Sequence, residues 1–211
     1  DSVNLSVKDG GTFKNSSHLK FTGGSFKVSL ESADLVENFE NTGEIYLQSS
    51  SMEVGSGSTP FTSSDEKLAL NVGDVTIGSG ATLTNKDKGY QVDKGAEEQA
   101  DGDVVEEETV AHTLVQFGTV TVDGGQFKND VDARSNGETL VIESVATGKK
   151  AVEIDGTSVW GTLQFSLDIG EDKTLADFAT IKQDADFRVT EALVIDSFAE
   201  SGSFTLNGSK T

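Results

Sequence analysis

Two stretches, Val75-Thr-Ile-Gly-Ser-Gly-Ala-Thr-Leu-Thr-Asn85 and Val120-Thr-Val-Asp-Gly-Gly-Gln-Phe-Lys-Asn129, decide the reading of this chain. In each, two apolar residues alternate with a polar one, a glycine-bearing step follows, then a further apolar residue and an asparagine. Period-2 alternation puts Val75 and Ile77, or Val120 and Val122, on one face of a strand. The glycines turn the chain sharply, and Leu83 or Phe127 returns an apolar side chain to the same interior. One such corner cannot bury its own face, so the units must stack on one another.

The motif recurs outward from this pair. Leu5-Ser-Val-Lys-Asp-Gly-Gly-Thr-Phe-Lys-Asn15 and Leu19-Lys-Phe-Thr-Gly-Gly-Ser-Phe-Lys-Val28 are close copies, and Met52-Glu-Val, Val152-Glu-Ile and Phe204-Thr-Leu are weaker relatives. Offsets between matching positions are uneven: 14 residues from Val7 to Phe21, 23 from Val54 to Ile77, 45 from Ile77 to Val122 and 32 from Val122 to Ile154. A rigid repeat is excluded. The expectation is an all-β fold, a parallel β-solenoid (β-helix) with insertion loops, forming one elongated domain over 1–211. About nine coils spaced by the distance between paired strands would give a rod on the order of 40 Å long. The alternative is an antiparallel β-sandwich in which the same glycines form hairpin turns.

Composition narrows the function. Thirty-six acidic against 16 basic residues give a net charge of −20, which opposes binding to nucleic acid and anionic lipid. There is no cysteine, so neither disulfides nor a thiolate metal site is available. No stretch reads as a transmembrane helix or a signal peptide, so any signal peptide is expected to have been removed before Asp1. The chain is read as secreted or displayed on a bacterial cell surface and not embedded in a membrane.

Residues 86–112 break the pattern and read as an acidic insertion loop, mobile in its second half. Within it Asp101, Asp103, Glu106, Glu107 and Glu108 form a weak calcium candidate. The order of an EF-hand is missing, and a solvated acidic loop is the preferred reading. Between Asp168 and Asp196, Leu175 and Phe178 carry near-helical spacing, which predicts a short helix or capping segment.

No catalytic or cofactor-binding residue is assigned. His18 and His112 lack a partner motif and read as exposed strand residues. The serines form no nucleophile elbow, and the Gly-rich steps at 55–59 and 78–82 lack the lysine of a phosphate-binding loop. Acids are so abundant that a carboxylate pair at glycosidase spacing is expected by chance.

The Gly-Gly-x-Phe-Lys-Asn copies, together with residues 75–85, resemble the repeats of autotransporter-type passenger regions, chiefly over 3–30, 52–85 and 113–167. That resemblance implies a right-handed β-helix exported to the bacterial surface, commonly an adhesin. The expected function is a non-catalytic structural or adhesive surface protein whose partners are other copies of itself, surface proteins or glycans. Two alternatives are a filament or layer subunit pairing through terminal strands such as Val3–Val7 or Phe204–Leu206, and a carbohydrate-binding or carbohydrate-active β-helix.

Overall fold

The computed structural model describes residues 12–30, 39–56, 62–64, 67–86, 89–93, 97–98, 104–105 and 109–205. Nearly every element is a strand, and the two large sheets are parallel throughout. The fold is a β-solenoid of about six turns, fewer than the nine expected, because single turns absorb long insertions. The antiparallel sandwich is not the fold.

Each turn carries a long strand in a first sheet, a corner, a shorter strand in a second sheet and a return. In coil 1 these are Phe13–Asn15 with His18–Thr22, then Ser25–Leu30; in coil 2, Phe39–Asn41 with Glu44–Gln48, then Ser51–Ser56. Coil 3 has Ala69–Ile77 and Thr82–Asn85, coil 4 Leu114–Asp123 and Gln126–Asn129, coil 5 Arg134–Ser144 and Val152–Ile154. Coil 6 has Thr157–Ile169 and Ala179–Ile181, and Asp186–Phe198 opens coil 7.

The register makes like positions stack. Leu19, Ile45, Val75, Val120, Leu140, Leu163 and Leu193 form one inward column, and Phe21, Leu47, Ile77, Val122, Ile142, Phe165 and Ile195 the next. From the second sheet, Phe26, Met52, Leu83, Phe127, Val152 and Ala179 close the interior. All six are buried. Along the second column a turn takes 20 residues from Val122 to Ile142 but 45 from Ile77 to Val122.

Three sequence assignments change. Met52-Glu-Val54 and Val152-Glu-Ile154 lie in the second sheet, after the corner rather than before it, because alternation reads identically in both sheets. Phe13 is not a return residue: Phe13–Asn15 runs in the first sheet beside Phe39–Asn41, and Leu5–Val7 lies outside the described residues. Coil 2 turns at Ser49-Ser50, with Ser49 itself at φ 50°, so no glycine marks it.

The described residues of the insertion are mostly paired strands rather than loop. Tyr90–Val92 and Thr109–Ala111 pair antiparallel, as do Glu97–Glu98 and Val104–Val105, giving a hairpin arm. Tyr90 and Val92 are buried at its root. The predicted helix is present as a single turn, α1 (Leu175–Phe178), started by Thr174, whose N–H donates to Asp177 Oδ2 at 2.8 Å. It seats Phe178 on Phe165, ring centroids 4.9 Å apart.

Asparagines lock the corners. Asn85 Nδ2 donates to Asn129 Oδ1 (2.8 Å), and Asn129 Nδ2 donates to the carbonyls of Ala133 (3.0 Å) and Thr157 (3.2 Å). Asn15 and Asn41 repeat the contact at 2.7 Å on the first sheet. Both Asn85 and Asn129 are fully enclosed, where carbonyls stripped of water need a donor. Replacing Asn129 by leucine removes that donor and should lower unfolding free energy by about 2–3 kcal/mol in denaturant titration. A loss below about 0.5 kcal/mol would show that the ladder is incidental.

Candidate functional site

The register of the long strands is interrupted midway, at Gly118, Glu138 and Gly161, and small residues at this bend border an open surface concavity. Gly43, Gly118 and Gly161 lie at the bend in coils 2, 4 and 6. A Cβ on Gly118 would overlap the carboxylate of Asp74, which instead accepts the Thr119 N–H at 2.7 Å. One on Gly161 would lie 2.7 Å from the Glu138 carbonyl. Side chains are therefore missing where neighbouring coils come closest.

Across coils 5 to 7 this leaves an open groove of about 580 Å³. Thr139, Thr162, Thr190, Glu138, Glu191 and Trp160 are among the residues that line it, and the Thr190 hydroxyl donates to the Trp160 carbonyl at 3.2 Å. Trp160 is held too tightly to act as a sugar-stacking platform: it is fully buried, and its indole N–H donates to Ser158 Oγ at 2.9 Å. Its ring crosses the place where residue 137 would carry a Cβ, and so stacks toward Phe117 across Gly137 with centroids 6.0 Å apart. The groove can accept hydrogen bonds from a polar ligand. Beside it, outward-facing Thr119, Thr139 and Thr162 stack in one register column.

Next to the groove, Asp196 accepts from Ser166 Oγ (2.6 Å) and Gln164 Nε2 (3.0 Å), which ties coil 7 to coil 6. Those bonds, Ser166's first, hold its carboxyl below the usual carboxylate range. Asp168 and Ser197 make a second such contact.

The sequence-derived candidates fall elsewhere. Asp101, Asp103, Glu106, Glu107 and Glu108 lie outside the described residues, between the hairpin strands and just past them. Among the described residues no group of three or more acidic or histidine side chains is placed to hold a metal ion, and no helix is long and apolar enough to cross a membrane. His18 is exposed and meets Glu44 at 3.1 Å. His112 departs from expectation: it is half-buried in the link between Thr109–Ala111 and Leu114–Asp123. The groove itself was missed, since its lining comes from residues distant in sequence; the glycines at the bend were its only local signal.

Two outcomes are expected. Gly137→Val forces Trp160 aside and should cost about 3 kcal/mol or more by denaturant titration, with a shift in the fluorescence of this sole tryptophan; wild-type stability would refute the packing. For Asp196, a folded pKa below the unfolded one means its stabilisation is complete above the unfolded value and is lost as pH falls through the folded one. The melting temperature of Asp196→Asn should thus converge on that of the parent chain at acid pH and lie below it at neutral pH; a constant gap would contradict this.

In comparisons with known proteins, no family model, no curated protein and no solved structure matches the chain.

Proposed function

We propose that this chain is a non-catalytic structural or adhesive segment of an extracellular surface protein, with the outer face of its first sheet as the contact surface. The observation that carries the reading is the stack itself. Side-chain columns run through coils 1 to 7, so chain length is converted into reach. Every turn adds backbone hydrogen bonds to its neighbours without needing a disulfide, and continuous ladders of this kind resist local opening.

The surface chemistry supports contact rather than turnover. The groove is open, its one large aromatic residue is enclosed, and its polar lining is one amide, three hydroxyls and two carboxylates, from Asn136, Thr139, Thr162, Thr190, Glu138 and Glu191. Such groups form hydrogen bonds with glycans or polar protein surfaces, while a net charge of −20 repels nucleic acid. Acidic surfaces also keep an elongated β protein soluble.

Two readouts test this on the purified chain and on cells producing it. Incubation with a panel of glycans and matrix proteins should show binding with no cleavage product, weakened several-fold by Thr139→Ala/Thr162→Ala. Antibody should label intact cells as strongly as permeabilised ones. Cleavage of a glycan, abolished by Glu138→Gln or Glu191→Gln, would overturn the non-catalytic reading. Labelling confined to permeabilised cells would overturn the extracellular one.

A further inference from the structure

Along coils 4 to 6 the outer face of the first sheet loses its charge. Alternating with buried residues such as Val115, Phe117, Val120 and Val122, three outward columns stack in register. They are Gln116, Asn136 and Val159; Thr119, Thr139 and Thr162; and Thr121, Val141 and Gln164. None of these positions is charged, although a quarter of the chain's residues are. In other coils the same columns do carry charge: His18, Glu44 and Asp74 precede Thr119 in the middle one, and Arg188 follows Val159 in the first. Within coils 4 to 6 charge is confined to the margins, Arg134 where the strands begin and Asp123, Glu143 and Asp168 where they end, and to Glu138 in the bend. The second sheet is the contrast. Its outward column runs Lys27, Glu53, Thr84, Lys128, Glu153, and its charges pair along the stack, Lys128 with Glu153 at 2.7 Å.

The polar side chains of this uncharged strip are also unengaged. The Gln164 amide donates to Ser166 and Asp196, but among the described residues no hydrogen bond uses the side chains of Gln116, Asn136, Thr119, Thr121, Thr139 or Thr162. Their amides and hydroxyls both donate and accept, and Asn136, Thr139 and Thr162 also line the groove. The coils repeat every ~4.8 Å, close to the length of one hexose residue in an extended β-1,4-linked chain. Charge decides among partners. A protein surface brings charged groups that these columns cannot pair, and covering an unpaired charge is costly. An acidic glycan is repelled by the net charge of −20 and by Glu138 and Glu191, which line the groove. An uncharged sugar chain presents hydroxyls that donate and accept and has no charge to strip of water.

We propose that coils 4 to 6 bind an uncharged, extended polysaccharide whose chain runs along the stack, across the strands, with its hydroxyls hydrogen-bonded to the threonine column and to Gln116 and Asn136. The inference rests on the contact-surface reading above and names what that surface holds. Because Trp160 is enclosed, no indole ring stacks on the sugar. The contact relies instead on hydrogen bonds and on repetition: each added sugar residue meets the next coil until the three uncharged coils are covered.

Titration of the purified chain with β-1,4-linked oligomers of glucose and of N-acetylglucosamine, followed by NMR, tests it. The expected result is an affinity that rises with oligomer length, levels once three coils are spanned and is indifferent to salt, with shifts confined to coils 4 to 6. Gln116→Ala/Asn136→Ala should weaken binding about tenfold, the loss of two neutral hydrogen bonds. Thr180→Ala, outward on the second sheet, should leave it unchanged. Galacturonate oligomers should bind more weakly, the more so at low salt. Tighter binding of glucosamine oligomers, abolished by salt and by Glu138→Gln/Glu191→Gln, would overturn the proposal in favour of a cation site in the groove. Failure of every neutral oligomer to bind would overturn it as well; a matrix protein still bound through the first sheet would then leave the contact-surface reading standing alone.

Discussion

Everything in this molecule follows from the in-register parallel ladder between successive coils. A single turn of chain encloses too little to exclude water; its inward residues become buried only when the next turn lays equivalent residues against them. Ile45, Val75, Val120 and Leu140 are each essentially inaccessible to solvent, although none lies in a conventional globular core. The ladder dictates what each position can be. An inward residue must match the size of those above and below it, and an exception requires compensation nearby, as where Gly137 vacates the space that the Trp160 ring fills.

The same constraint explains the polar interior. At coil corners the backbone leaves the sheets, and its buried carbonyls keep acceptor capacity beyond the ladder: that of Ala133 takes the Thr157 N–H at 2.9 Å and has a lone pair left for a second donor. Asn129 supplies that donor, to Ala133 in its own return segment and to Thr157 at the start of coil 6. The outer face is under no such demand, so its columns vary from Lys20 and Tyr46 to Thr121 and Gln164. This freedom is what a contact surface needs, and the groove at the bend arises from the interior's geometry rather than from dedicated loops.

Much of the fold was legible in the sequence because alternation, glycine step and asparagine occur together in residues 75–85 and 120–129. The parallel direction was less so: a glycine corner looks alike whether the next strand joins a second sheet or pairs back. Identical alternation also hid which sheet held Met52 and Val152, and Ser49 concealed the coil 2 corner by adopting a backbone conformation usually left to glycine. The hairpin within 86–112 was read as a loop since its strands are only two or three residues long. The groove was not legible, because Gly137, Gly161 and Glu191 meet only through stacking.

The absence of native cysteine makes the central claim directly measurable. Spin labels placed at Lys20 and, in turn, at Thr76, Thr121 and Gln164 occupy one outward column of the first sheet. Their separations by electron paramagnetic resonance should rise in sequence order by about 4.8 Å per coil, corresponding to two, three and five coils. Separations that fail to increase along the chain, as an antiparallel arrangement would produce, would contradict the stacked parallel ladder.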